Sequence, residues 1–110
     1  MPRPGIVCWA LLAVIIAAGP VAAAPSKFRQ GELIYLLRQD CGSCHGMTLK
    51  GGLGPPLLPA AMAGKSDEAL ADVILYGLPG TPMPPWNIEI SREEAVWLIR
   101  RMKEGIDDTP

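Results

Sequence analysis

Histidine is nearly absent from this chain. His45 is the single one in 110 residues, and the three cysteines are Cys8, Cys41 and Cys44. A structural zinc site takes four Cys or His ligands. Setting aside an N-terminal leader leaves two cysteines and one histidine, which is too few. A charge field of one sign is also missing. Ten Lys and Arg stand against eleven Asp and Glu, for a formal net charge of −1. The basic residues are scattered, so nothing in the sequence offers a nucleic-acid surface. Their longest grouping, Arg100, Arg101 and Lys103, ends a predicted helix, where positive charge complements the helix dipole; the other reading is a docking patch for an acidic partner. There are no internal repeats. No strand-like alternation flanks Cys41 and Cys44, which removes the βαβ setting of a thioredoxin-like motif.

Long apolar runs are confined to one place. Met1 to Ala24 has Arg3 near its start, an uncharged apolar stretch from Gly5 to Ala18, and then small residues. This is the anatomy of a secretory signal, and the stretch is short of the about 20 apolar residues a membrane-spanning helix needs. Cleavage is expected after residue 23 or 24. A proline just after the scissile bond suits an extended substrate poorly, so Ala24 is favoured over Pro25 as the mature N-terminus. Residues 1–23 then form the leader and residues 24–110 a single domain, with Cys8 lost on export. So small a domain has a marginal core and calls for a staple.

The staple is the run Cys41-Gly42-Ser43-Cys44-His45. Two cysteines three apart, followed at once by histidine, form the attachment sequence of c-type haem. Each sulfur adds to one vinyl group, and the adjoining imidazole lies under the iron. The second axial position needs a donor from elsewhere. Met47 is too near His45 to cross to the opposite haem face, Met102 falls in a periodic helical pattern, and Met62 has no rigid turn to hold it. Met83 lies in Gly80-Thr81-Pro82-Met83-Pro84-Pro85-Trp86, where three prolines fix φ on both sides and limit the entropy of holding a thioether. Thioether is a soft ligand suited to haem iron. Between the two ligands lies Gly51-Gly52-Leu53-Gly54-Pro55-Pro56-Leu57, and the Pro55 carbonyl is the expected acceptor for the second N–H of His45. Trp86 either gives its indole N–H to a haem propionate or simply packs.

The C-x-x-C-H-G of Cys41 to Gly46, the G-P-x-L of Gly54 to Leu57 and the M-P-P-W of Met83 to Trp86 follow one another as they do in class I cytochromes c. The chain resembles that family over about residues 28–105. More narrowly, it resembles the small NirC-type cytochromes encoded beside the dissimilatory nitrite reductase of denitrifying bacteria. The resemblance implies an all-α fold of about three main helices and loops around one covalently bound haem c. Cys41 and Cys44 would carry the haem, and His45 and Met83 would be its axial iron ligands. It also implies a periplasmic, monomeric electron-transfer protein rather than an enzyme. The expected partners are redox proteins, a cytochrome cd type nitrite reductase among them, with no nucleic acid and no stable membrane insertion after cleavage. The alternative role is to accept electrons while the reductase's haem cofactor matures. One position departs from the family. Many members have an aromatic four residues before the first haem cysteine, and here that residue is Leu37, with Tyr35 displaced by two. The aromatic contact between first and last helices is therefore in doubt.

Periodicity predicts a first helix from Phe28 to Gln39, with Leu33, Ile34, Leu37 and either Phe28 or Tyr35 facing inward. A second begins after Ser66, carries Leu70, Val73 and Ile74 on one stripe, and ends at Gly77. Ser91-Arg92-Glu93-Glu94 has capping-box spacing and opens a last helix from Arg92 to Glu104, stopped by Gly105. Val96, Leu98, Ile99 and Met102 are its expected packing residues, Trp97 reads as core or interface, and Asp107 to Pro110 as a frayed tail.

Overall fold

Ser26 caps the first helix: its side chain accepts the Arg29 backbone N–H at 3.2 Å and starts α1, Lys27–Leu36. The computed structural model describes residues 24–107, together with residues 1, 2, 4, 5, 13–17 and 19. Most of the expected leader, the cleavage region expected at its end and the last three residues of the tail lie outside the described residues.

Helix α1 does not stop at Leu36. It widens into a π turn over Leu37–Cys41, in which the Gly42 N–H reaches five residues back to the Leu37 carbonyl, and then resumes as α2, Gly42–His45. A one-turn helix α3 follows at Pro59–Met62. Helix α4, Asp67–Tyr76, starts on the Ser66 cap, and α5, Arg92–Glu104, starts on a complete capping box between Ser91 and Glu94. No strand occurs among the described residues. The all-α expectation and the starts of the last two helices hold, because a serine oxygen meeting an N–H three residues on is a local interaction.

Helix α5 is the centre, packing against α1, α3 and α4. The buried core comprises Leu33, Leu37, Leu49, Met62, Ala71, Leu75, Ile90, Ala95, Leu98, Ile99 and Met102. Burying a side chain the size of leucine stabilises by about 2 kcal/mol before entropy is counted. Leu37, four residues before Cys41, is fully buried. The expected inward aromatic is corrected, since Phe28 is 79% and Tyr35 68% exposed. Leu33 and Leu37, four apart, already define the buried stripe, and positions 28 and 35 fall outside it. On α4 the buried pair is Ala71 and Leu75, one position on from the expected stripe, with Leu70, Val73 and Ile74 half-buried. Helix α5 buries Ala95 where Val96 was expected; Val96 and Trp97 pack half-buried against the core.

Charges tie the helices together. Arg100 and Lys103 both bind Asp67 at the start of α4, at 3.0 and 2.7 Å, and Arg101 pairs with Glu104. The terminal basic cluster is therefore spent on contacts within the fold. Those two cations hold the Asp67 carboxyl below its usual range. Across α1 and α5, Arg29 makes a two-pronged contact with Glu94 at 2.8 and 3.0 Å and also donates to the Glu89 carbonyl. The guanidinium holds the Glu94 carboxyl low. Arg29→Met, which keeps the apolar stem, is expected to lower stability by about 1 kcal/mol at neutral pH. Because the folded-state value of Glu94 is depressed, this contribution is present above the ordinary carboxylate pKa and disappears as pH falls through the folded value. Urea melts of both proteins at neutral and acid pH should show the gap closing; a gap that is constant with pH counts against the pairing.

Candidate functional site

The site is built on the turn that ends the first helical run. Cys41 closes the π turn, and Cys44 and His45 lie on α2 directly after it. The extra residue per turn rotates the chain between Leu37, which stays in the core, and Cys41, which is only half-buried. Both Cys41 and Cys44 are free thiols. Burial first, and then the nearby Asp40 charge, push the Cys41 thiol up to about 11.

The loop after His45 folds back beneath it. The Gly51 N–H donates to the His45 carbonyl and the Gly54 N–H to the Cys44 carbonyl, both at 2.8 Å, while the Leu57 N–H reaches the Leu49 carbonyl at 2.9 Å. These bonds bring the Pro55 carbonyl to 2.7 Å from His45 Nδ1. A carbonyl only accepts, so in the neutral ring Nδ1 carries the proton and Nε2 is left with its lone pair free. Gly54 is packed flat against the imidazole. A Cβ there would lie 2.6 Å from His45 Cε1 and 2.7 Å from Nδ1. Only a residue without a side chain lets the loop approach the ring this closely.

Met83 comes from the other half of the chain. Its loop leaves α4 at Gly77 and is fastened back to that helix: Trp86 N–H donates to the Ile74 carbonyl at 3.0 Å and Asn87 N–H to the Leu75 carbonyl at 3.1 Å. These carbonyls belong to the last turn of α4, which has no partners of its own. Thr81 braces the inside of the loop. Its hydroxyl donates to the Leu78 carbonyl at 2.7 Å and accepts the Met83 N–H at 3.3 Å. The sequence reading missed this brace, although a threonine two residues ahead of a backbone N–H is a known local motif. Met83 is half-buried, Met47 is 62% exposed, and Met62 and Met102 are packed into the core at 3% exposure each. Trp86 is half-buried against the core.

Two thiols on one turn, an imidazole with a free Nε2 and a half-buried thioether in a braced loop are donors of the kinds that a covalently attached haem uses. Among the described residues no cluster of three or more His, Cys, Asp or Glu is arranged to hold a bare metal ion. The residues fit haem c. A helical shell with this Cys-x-x-Cys-His turn at the end of its first helix has the class I cytochrome c fold.

Comparison with known proteins agrees. The family model described as cytochrome C oxidase, cbb3-type, subunit III matches residues 26–100. Cytochrome c55X of Paracoccus denitrificans is 52% identical over 81% of this chain and 86% of its own length. The solved structure of a c-type cytochrome NirC is 53% identical, with a TM-score of 0.72 over 74% of this chain and 95% of that one. A dihydro-heme d1 dehydrogenase of Pseudomonas aeruginosa is 39% identical over 66% of this chain, which corresponds to 14% of the enzyme. The chain belongs to the cytochrome c family, as a monohaem cytochrome of the NirC type. It is an electron-transfer protein of the c type, and no helix among the described residues is long and apolar enough to cross a membrane.

Proposed function

We propose that this protein is a periplasmic carrier of single electrons for dissimilatory nitrite reduction, with one haem bound through thioethers at Cys41 and Cys44. The observation that carries the reading is the Pro55 carbonyl on His45 Nδ1, which leaves Nε2 as the ring nitrogen free to hold iron. The bound haem supplies the one-electron exchange between ferric and ferrous iron. His45 and Met83 would hold its iron, which would leave no position for a substrate, and on this reading the protein is a carrier and not an enzyme. Pro55 fixes the plane of the His45 ring, and Trp86, directly after the ligand loop, offers its indole N–H to a propionate. Residues 1–23 direct export, and the mature monomer begins at Ala24 or Pro25. Its partner is a redox protein, namely a cytochrome cd type nitrite reductase.

A second reading has its own support. A segment similar to this chain forms part of a dihydro-heme d1 dehydrogenase. A free-standing cytochrome of the same kind could therefore take up the electrons released as the reductase's haem cofactor is finished. Deleting this chain separates the two. The donor role predicts a reductase that contains its cofactor but is slow to be reduced, and the maturation role predicts a reductase lacking the finished cofactor. Mass spectrometry of the exported protein checks what both readings share. The expected mass is the polypeptide from residue 24 or 25 plus one haem, and a mass equal to the bare chain would sink them together.

A further inference from the structure

We propose that Gly77 is the positioning residue for the Met83 ligand: the absence of a side chain there sets where the thioether is held. The proposal rests on the reading of Met83 as an axial ligand and goes beyond it. Three observations converge on this glycine. Its backbone lies at φ 72°, ψ −174°, in a region that essentially only glycine occupies. It is buried. The ligand loop runs directly over its α-carbon, so that a Cβ would lie 2.6 Å from the Met83 carbonyl oxygen and 3.1 Å from Pro84 C and Pro85 N.

The atoms a side chain would strike are backbone, and they belong to a stretch that cannot move freely. Pro84 and Pro85 fix their own φ. Beyond them, the Trp86 and Asn87 N–H groups are bonded to the end of α4. On the near side, the Leu78 N–H meets the Met83 carbonyl at 3.3 Å. A methyl group at position 77 must therefore displace the chain at Met83 itself, because the downstream anchor holds. Helix α4 and the ligand loop behave as one rigid piece closed at Gly77, and the position of the sulfur is set by protein packing and not by the iron alone. Gly77→Ala should move the sulfur off its place while α4 and the haem attachment turn, which lies on separate segments, remain.

The test uses mature holoprotein made with haem-attachment machinery. Four samples are compared: wild type, Gly77→Ala, Met83→Leu, and Ala71→Gly as a control that weakens the interior of α4 away from the loop. The readouts are the sulfur-to-iron charge-transfer band of the ferric protein, carbon monoxide binding by the ferrous protein, and the thermal midpoint. Gly77→Ala is expected to lose most of the band and to bind carbon monoxide about tenfold or more tightly, as the five-coordinate fraction rises. Ala71→Gly is expected to melt at lower temperature with its band intact. If Met83→Leu abolishes the band and Gly77→Ala retains it with wild-type carbon monoxide affinity, the positioning role is wrong and the ligand reading stands. If the band survives Met83→Leu, the ligand reading fails and the proposal falls with it. Should Gly77→Ala alone give no folded holoprotein, Gly77→Ala/Pro84→Ala frees the loop to yield to the methyl. That variant is expected to fold with a weakened band, and a full band in it overturns the proposal.

Discussion

Gly54→Ala is expected to break the hydrogen bond between His45 and Pro55 and to cost about 1–3 kcal/mol of stability, the range of an overpacked contact. The added methyl would sit 2.6 Å from His45 Cε1 and 3.1 Å from Nε2, across the face of the ring. The imidazole cannot give way alone if it is bonded to iron, so the loop must retreat and carry the Pro55 carbonyl, now 2.7 Å from Nδ1, out of reach. Losing that acceptor makes the ring a poorer donor to the metal, which raises the reduction potential. The redistributed haem-methyl resonances of the ferric protein, which report ring orientation, and a redox titration check this. A Gly54→Ala protein with wild-type resonances and potential would show that the contact is not coupled to the iron. Pro55→Ala is the complementary case. It leaves a carbonyl at position 55, so its potential should stay close to that of the wild type.

Polypeptide made without haem attachment is expected to lose most of its helix signal and its cooperative melt. The reason lies in the size of the core. Among the described residues eleven apolar side chains are buried, two of them alanines, and Leu33, Leu37, Ile90, Leu98 and Ile99 are the large ones most completely enclosed. Fixing the backbone of a residue costs about 1–2 kcal/mol, so a chain spanning residues 24–107 needs more apolar burial than these side chains provide. Leu57, Leu70, Ile74 and Trp86 stay only partly buried at the edge of that core. A covalently attached haem would supply further apolar surface to bury. Circular dichroism against temperature, on apoprotein and holoprotein side by side, is the measurement. A native-like cooperative transition in the apoprotein would mean the helices suffice by themselves.

Some of this structure was legible in the sequence. The Ser66 cap, the Ser91–Glu94 box and the stops at Gly77 and Gly105 could be read directly, since each depends on groups within a few residues of one another. So could the Cys41–His45 run and the proline-braced Met83. The π turn could not. It goes with Leu37 being fully buried in the core while Cys41, four residues on, is only half-buried, a difference that no local signal in the sequence spells out. Helix α3 was missed because one turn carries too little periodicity to be seen. Periodicity allowed either Phe28 or Tyr35 an inward place beside Leu33 and Leu37, and both are exposed because the Leu33–Leu37 stripe faces elsewhere.

By itself, then, the sequence determined the chemistry of this protein: which thiols, which imidazole and which thioether are offered, and where the long helices begin. Those are covalent order and short-range hydrogen bonding, which no distant contact can alter. The tertiary structure decided how closely these groups are held. Gly54 lies flat on the imidazole, Pro55 meets Nδ1 and Gly77 passes beneath the Met83 carbonyl, all because two short loops fold back on themselves until backbone meets its neighbour at van der Waals contact. A glycine in a string reads as freedom for the chain, and only the fold shows what fills the space its side chain would have taken.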